Sequence, residues 1–152
     1  MRPIDHSSEA APDAHGQDLT SLLHARGQRA TPQRLVILRE LRRRGRHTTA
    51  DELRRSIRDE LPGTSIPTVY ATLELLVELG LARRVDAGGG PALYDPRVDP
   101  HQHMVCRQCG RIEDLDHPVE AEPLLRAAGE HGFAGRSVEV VVSGMCSSCD
   151  RA

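Results

Sequence analysis

The chain has 152 residues, enough for one ordinary domain or two small ones. It contains no Trp, two Tyr and one Phe, so any core must be aliphatic, which suits two small domains stiffened by metal or by dimerisation. No apolar run reaches the length of a membrane-spanning helix, and the start of the chain lacks the apolar segment of a secretory signal. We therefore expect a cytoplasmic protein without a membrane partner.

The net charge of −2 conceals an uneven distribution of charge. Residues 21–85 carry 13 Arg and 7 acidic residues, whereas residues 86–152 carry 6 Arg and 11 acidic residues. A basic half of this kind is typical of a protein that binds a polyanion such as DNA. A solvated charged surface would have the same composition, so charge alone leaves both interpretations open.

The N-terminal part of the chain predicts a tail followed by helices. Residues 1–16 show no periodicity and are rich in polar and small residues, which predicts a disordered tail. Asp18 can cap a short first helix that ends near Gly27. A second helix begins after Thr31, with Pro at its first position, and is stopped by Gly45.

Two further helices follow, each with its own capping signal. Thr49 and Glu52 form the capping box of a third helix, which we predict to extend to Leu61. Ser65 caps a fourth helix, predicted over residues 68–79. One stripe of this helix is apolar, and polar side chains near its start lie on other faces.

Two extended runs, residues 81–85 and 91–94, flank a glycine-rich turn and predict a β-hairpin. Helices followed by a hairpin are the order of a winged helix-turn-helix, so we assign residues 17–95 to a DNA-binding domain. In a helix-turn-helix the N-terminal residues of the second helix enter the major groove. For Tyr70 the alternative is half-buried packing. The candidate DNA contacts on the fourth helix are Thr68, Tyr70 and Thr72.

Residues 96–100 contain two prolines and no apolar pattern, which predicts a hinge before a second domain at 101–152. A helix lies between strands in that domain, so the fold class is α+β. The predicted elements are strands at 103–106, 111–115 and 137–143 and a helix at about 119–131.

Two C-x-x-C pairs give the second domain its clearest chemistry. Each pair can curl two thiolates around one ion, and two pairs supply the four ligands of a closed tetrahedral zinc site. The alternatives are two disulfides or a redox dithiol, as in a thiol oxidoreductase, but the chain lacks the βαβ setting of that class. We predict one structural Zn²⁺ per chain. The ligands are Cys106, Cys109, Cys146 and Cys149.

Six motifs together give the chain a family resemblance. They are R-A-T-P-Q-R (29–34), H-T-T-A-D-E-L (47–53), S-I-P-T-V-Y-A-T-L-E-L-L (65–76), G-L-A-R-R-V (80–85), H-Q-H-M-V-C-R-Q-C-G (101–110) and G-M-C-S-S-C (144–149). With them the chain resembles the Fur family of metal-dependent repressors. The resemblance implies an N-terminal winged-helix DNA-binding domain, a small C-terminal α/β dimerisation domain with the four-cysteine zinc site, and a separate regulatory metal site between them.

The resemblance also implies the regulatory ligands. They are His47 of the second motif, Asp95 after the aromatic at the end of the wing, His101 and His103 of the H-x-H pair, and Asp114 after the first cysteine pair. Three imidazoles and two carboxylates suit Fe²⁺ or Mn²⁺. Arg29 matches a basic residue that family members place near the DNA minor groove.

The two carboxylates distinguish subgroups of the family. Iron-uptake members typically have Glu at both positions, whereas peroxide sensors of the PerR type have Asp, as this chain does. Pro100, Gln102 and Val138 stand where ligands of an additional ion site are common. Ala71 replaces an Arg that often follows the tyrosine of the recognition helix, so the operator cannot be copied from other members.

These features predict a homodimeric transcriptional repressor that binds a palindromic operator in double-stranded DNA when Fe²⁺ or Mn²⁺ is bound. Peroxide would react at the iron, oxidise a ligand histidine and release the DNA, so the target genes would serve peroxide defence. The first alternative is an iron-responsive repressor of iron uptake. The alternative from another class is the thiol oxidoreductase.

Overall fold

The computed structural model describes residues 18–151, so the tail predicted for residues 1–16 lies outside the described residues. The first part of this range is mainly helical and the second part mainly strands, and the fold class is α+β as predicted. In chain order the elements are α1 (Leu19–Ala25), α2 (Pro32–Arg44), β1 (Thr48–Thr49), α3 (Ala50–Ser56), α4 (Ile66–Glu78), β2 (Arg83–Val85), β3 (Leu93–Asp95), β4 (Gln102–Cys106), β5 (Ile112–Leu115), α5 (Ala121–Glu130) and β6 (Val141–Gly144).

The predicted capping residues begin the helices. The Thr31 hydroxyl accepts a hydrogen bond from the backbone N–H of Arg34 at the start of α2. The capping box between Thr49 and Glu52 is complete at the start of α3. Each cap satisfies backbone donors that have no partner inside the helix, which is why these starts can be identified from the sequence.

Two helix boundaries differ from the prediction. α4 begins at Ile66, directly after its cap Ser65, and so starts earlier than residue 68. α3 ends at Ser56 instead of reaching Leu61, because the chain turns there and the carbonyl of Ile57 accepts the backbone N–H groups of both Glu60 and Leu61. Leu61 still packs against the core, so its apolar character reflects burial rather than helical structure.

The hydrophobic core lies in the N-terminal half of the molecule. Apolar faces of α1 to α4 meet there with the start of the hairpin. Tyr94 on β3 is fully buried, and its hydroxyl donates a 2.5 Å hydrogen bond to Glu74 of α4. Burial and the Glu74 carboxylate both raise the pKa of Tyr94, so this phenol remains a donor at neutral pH. This bond fixes the hairpin against α4.

The first sheet contains a strand that the sequence analysis did not predict. Its order is β1-β3-β2, with both pairs antiparallel. β2 and β3 form the predicted hairpin. The two residues of β1 pair with the edge of β3 that faces away from β2, and Thr48 lies opposite Tyr94. This pairing connects the loop after α2 to the end of the wing.

The second sheet has the order β5-β4-β6, with β5 antiparallel and β6 parallel to β4. The strand predicted at residues 137–143 is wrong in its bounds, since β6 spans Val141–Gly144. Before it, the backbone N–H of Val140 donates to the Gln102 side chain instead of to a strand. All four residues of β6 are exposed in the single chain.

The C-terminal half buries little apolar surface within one chain. Of its described apolar residues, only Val105 and Cys106 are buried, and α5 has no buried residue. None of the helices described between residues 18 and 151 has the length and hydropathy needed to cross a membrane. The large apolar side chains that are exposed in the described residues all belong to this half: Val98, Leu124, Phe133, Val141, Val142 and Met145.

Candidate metal centres

The four cysteines form one group, which we call the thiol cluster: Cys106, Cys109, Cys146 and Cys149. Each offers its sulfur, and the four sulfurs lie within 4.8 Å of one another. The first pair is at the turn between β4 and β5, and the second follows β6. Because β6 pairs directly with β4, the sheet itself brings the two C-x-x-C pairs together.

The ionisation of the thiols fits a site for a soft cation. The backbone N–H groups of Cys109 and Cys146 point toward the sulfur of Cys106 and lower the pKa of that thiol to about 6. Hydrogen bonding to the sulfur of Cys146, together with burial, raises the pKa of Cys149 to about 12. The Cys106 thiol therefore ionises more readily than the Cys149 thiol, and a cation such as Zn²⁺ at the centre of the cluster would favour the thiolate form.

The second group, the histidine–aspartate cluster, consists of His47, Asp95, His101, His103 and Asp114. Strand pairing explains how it assembles. His47 directly precedes β1, and the pairing of Thr48 with Tyr94 brings it beside Asp95 at the end of β3. In the second sheet His103 of β4 lies opposite Asp114 of β5. The cluster therefore draws ligand atoms from both halves of the molecule.

The distances within this cluster are short. The Nε2 atom of His47 lies 3.4 Å from Asp95 Oδ2 and 3.3 Å from Asp114 Oδ1. The Nε2 atom of His101 lies 2.8 Å from Asp95 Oδ2 and 3.0 Å from His103 Nε2. Three imidazole nitrogens and two carboxylate oxygens thus converge on one small volume.

Two atoms of the cluster support cation binding most directly. His47 Nε2 and Asp95 Oδ2 are buried, and neither has a hydrogen-bond partner with acceptable geometry in the described part of the chain. A buried polar atom without a partner is costly to the fold. A divalent cation at the centre of the cluster would satisfy both atoms, so the residues present fit such a group.

A hydrogen bond to His101 and the burial of His103 favour metal binding by these two imidazoles. The Nδ1 atom of His101 lies 2.8 Å from the backbone carbonyl of Asp99, which holds the proton on Nδ1 and leaves Nε2 free to bind a metal. Burial and the neighbouring histidines lower the pKa of His103. Burial alone would raise the pKa of Asp95, but the nearby His47 imidazole and the hydrogen bond from the backbone N–H of Arg97 lower it to about 2. Asp95 is therefore a carboxylate at neutral pH.

Comparison with known proteins agrees with this arrangement. The model of the Ferric uptake regulator family matches residues 25–143, which is most of the chain. The chain belongs to the ferric uptake regulator family. Fur-family proteins are metal-dependent transcriptional repressors that bind DNA and act as dimers, so this protein is a transcription regulator and not an enzyme. The alternative of a thiol oxidoreductase is thereby wrong.

Similar proteins in the Fur family include one named for ferric uptake and others named for the response to peroxide. Ferric uptake regulation protein 1 of Mycolicibacterium fortuitum is 40% identical over 129 residues, covering 84% of this chain and 80% of that protein. Peroxide-responsive repressor PerR of Staphylococcus aureus (strain USA300) is 31% identical over 151 residues, covering 98% and 95%. The crystal structure of the Campylobacter jejuni peroxide stress regulator superposes with a TM-score of 0.59 at 31% identity, covering 88% of this chain and 100% of that one.

The candidate DNA-contacting residues of this Fur-family protein differ in exposure. Arg29 is exposed in the turn before α2, and the Arg34 guanidinium braces that turn through the carbonyl of Arg29. Thr68 and Tyr70 are half-buried in the first turns of α4. Thr72, by contrast, is only 7% exposed. It lies one turn further along α4 than Thr68 and offers less surface for a DNA contact than Thr68 and Tyr70 do.

Arg97 belongs to none of the motifs of the sequence, and it lies in the predicted hinge beside the histidine–aspartate cluster. Its guanidinium donates hydrogen bonds to three carboxylates, those of Asp99, Asp114 and Asp116. The available signal was an arginine standing between two aspartates in a segment that also precedes the H-x-H pair. Because residues 96–100 were predicted only as a hinge, these hydrogen bonds from Arg97 to three carboxylates were not anticipated.

Proposed function

We propose that this protein is a homodimeric repressor in the cytoplasm that binds a palindromic operator when the histidine–aspartate cluster holds Fe²⁺ or Mn²⁺, and that it senses peroxide through the iron form. The observation that supports this proposal most strongly is that the two halves of the molecule both contribute ligand atoms. His47 and Asp95 belong to the half with the winged helix, whereas His101, His103 and Asp114 belong to the other half. A cation bound by all five would fix the orientation of the DNA-binding half.

The thiol cluster would have a structural role in the same protein. We propose that its four sulfurs bind one Zn²⁺, which joins the β4–β5 turn to the segment after β6. Four-cysteine sites are closed, without a position for a reacting molecule. The small apolar core of this half supports the assignment, because a domain with so little buried apolar surface depends on a metal or a partner for stability.

Arg29, Thr68 and Tyr70 are the proposed DNA contacts. They lie before α2 and at the start of α4, and α4 is the second of the two consecutive helices, α3 and α4, that form the helix-turn-helix. Two such units in a dimer would occupy successive major grooves of a palindromic site. The edge-to-face contact between Tyr70 and Tyr94, with ring centres 6.5 Å apart, gives Tyr70 a packing role beside the proposed DNA contact.

The proposed sensing reaction oxidises a histidine of the cluster. Bound Fe²⁺ would activate hydrogen peroxide, and the two electrons of the net reaction would come from the imidazole. Overall, the C–H bond of one ring carbon is replaced by a C–OH bond with one peroxide oxygen, and the other peroxide oxygen leaves as water with the displaced hydrogen. Among the five ligand residues, Asp114 has the most exposed side chain, at 33%. His47 and His101 are the histidines within 3.6 Å of its Oδ1 atom, which makes them the expected targets.

The relative named for ferric uptake supports a second candidate function. At 40% identity it is more similar to this chain than the PerR relatives described above at 31%, so a repressor that responds to iron supply itself is the alternative. Two features favour peroxide sensing: Asp at both carboxylate positions, and an exposed edge of the cluster at Asp114. Mn²⁺ would then serve as the peroxide-resistant metal.

Titration of DNA binding with peroxide tests the two functions against each other. An operator can be obtained by selecting a duplex from a random library with the Mn²⁺ form. We expect both the Fe²⁺ and the Mn²⁺ forms, prepared without oxygen, to bind it. Brief exposure to a low concentration of peroxide should release DNA from the Fe²⁺ form only. If both forms keep their DNA, the iron-responsive function is the correct one.

A further inference from the structure

We propose that Arg97 is a positioning residue for the regulatory metal, one that leaves each of the two carboxylates a single oxygen for the cation. This inference rests on the proposed function only in taking the histidine–aspartate cluster as the metal site. The backbone N–H of Arg97 donates a 2.8 Å hydrogen bond to Asp95 Oδ1. Its side-chain Nη1 atom donates a 3.3 Å hydrogen bond to Asp114 Oδ2. One residue therefore engages one oxygen of each acid.

The other oxygen of each acid faces the imidazoles. Asp95 Oδ2 lies within 3.6 Å of the Nε2 atoms of all three histidines and has no hydrogen-bond partner among the described residues. Asp114 Oδ1 lies 3.3 Å from His47 Nε2. The two acids are thus divided in the same way, with one oxygen toward Arg97 and one toward the centre of the cluster.

Arg97 is itself held in place by two acids outside the cluster. Its Nε and Nη2 atoms donate to both oxygens of Asp99, and Nη2 also donates to Asp116 Oδ1 at 2.6 Å. Asp99 in turn accepts the Nδ1 proton of His101 through its backbone carbonyl. A planar guanidinium with five donors can bind three carboxylates in this manner, whereas the point charge of lysine cannot.

Because one oxygen of each acid is directed to Arg97, the number of ligand atoms that the protein offers to the cation is limited. Five residues that each offer one atom supply five ligand atoms. If Asp114 were free to turn and offer both oxygens, the protein could supply six. Fe²⁺ and Mn²⁺ commonly accept six ligands in sites rich in oxygen, so the constraint imposed by Arg97 keeps the bound cation five-coordinate, with the sixth position left vacant for a small oxidant. Arg97 also ties the hinge to β5 through Asp114.

The test uses full-length dimer with the thiol cluster filled by zinc and the second site titrated with Co²⁺. The variants are Arg97→Ala and Arg97→Lys, and Arg126→Ala is the matched control because its exposed side chain pairs with Glu122 on α5, away from the cluster. The measurements are Co²⁺ affinity, by competition with a chelator, and the visible spectrum of bound Co²⁺, whose absorptivity decreases as its coordination number rises from five to six.

For Arg97→Ala we expect an affinity about 10- to 100-fold weaker than that of the wild type and a less intense spectrum. Arg97→Lys should resemble Arg97→Ala, and Arg126→Ala should resemble the wild type. A purely structural role would lower thermal stability without changing the spectrum. If Arg97→Ala folds poorly, Asp116→Asn, which removes one acid that holds the guanidinium, should change affinity and spectrum in the same direction but less.

The possible results separate this inference from the proposed function. If the wild type binds no Co²⁺ beyond the zinc site, the assignment of the regulatory metal site is wrong and the inference falls with it. If the wild type binds Co²⁺ and Arg97→Ala has the same affinity and spectrum, only the role of Arg97 is refuted. Full restoration of both by Arg97→Lys would show that charge alone matters and would also refute it.

Discussion

Replacement of one exposed cysteine tests whether the thiol cluster holds the C-terminal half together. Cys109 is exposed, unlike Cys106, so its conversion to Ser removes little packing. A surface substitution away from any special feature changes the free energy of unfolding by about 0.5 kcal/mol or less. A structural zinc site contributes on the order of 10 kcal/mol. The expected loss in the free energy of unfolding is therefore more than tenfold larger if Cys109 is a zinc ligand than if it is an ordinary surface residue.

The described residues of this half offer little else within one chain that could replace that contribution. Their one buried aliphatic side chain is Val105, whose burial contributes about 2 kcal/mol. We therefore expect Cys109→Ser to lose its zinc, and with it the pairing of β6 with β4 and the dimer. The measurements are zinc content, thermal unfolding and sedimentation. Ser147→Ala, an exposed change in the second cysteine pair, is the control. A Cys109→Ser protein that is stable and dimeric without zinc would refute this reasoning.

Three further predictions concern DNA and the regulatory metal. Arg29→Ala should weaken DNA binding and lower the slope of log affinity against log salt by roughly one for each phosphate that Arg29 neutralises, and an unchanged slope would indicate a packing role. His47→Ala should keep its zinc and its dimer but lose metal-dependent DNA binding, as anisotropy with and without Mn²⁺ would reveal. Asp114→Glu should still bind DNA with metal, but its iron form should release DNA more slowly under peroxide in a stopped-flow assay, because the longer side chain can more readily fill a free position. Release at the wild-type rate would contradict that explanation.

Local signals made much of the fold predictable from the sequence. Thr31, Thr49 and Ser65 start helices through hydrogen bonds to backbone groups three residues away, so a short window of sequence contains the whole signal. The two C-x-x-C pairs are equally local. Pairing of β6 with β4 then brings them together.

Long-range pairing made other features unpredictable. β1 has two residues, too few to show a strand pattern, and Thr49 is also the N-cap of α3. Only its antiparallel pairing with β3 makes it a strand, and this pairing brings His47 to Asp95. The resemblance to the family anticipated these ligands, but spacing along the chain could not have joined them. The engagement of both acids by Arg97 likewise depends on its hydrogen bond to Asp114 of β5.

Mass spectrometry of the peroxide-treated iron form tests the central claim most directly. The protein would be loaded with Fe²⁺ or Mn²⁺ without oxygen, treated briefly with hydrogen peroxide and digested, and the oxidised residues would be located in its peptides. We predict that the Fe²⁺ form gains one oxygen atom on His47 or His101, in proportion to the DNA released, and that the Mn²⁺ form gains none. Oxidation confined to the four cysteines, with both histidines intact, would contradict the account and place the sensor in the thiol cluster.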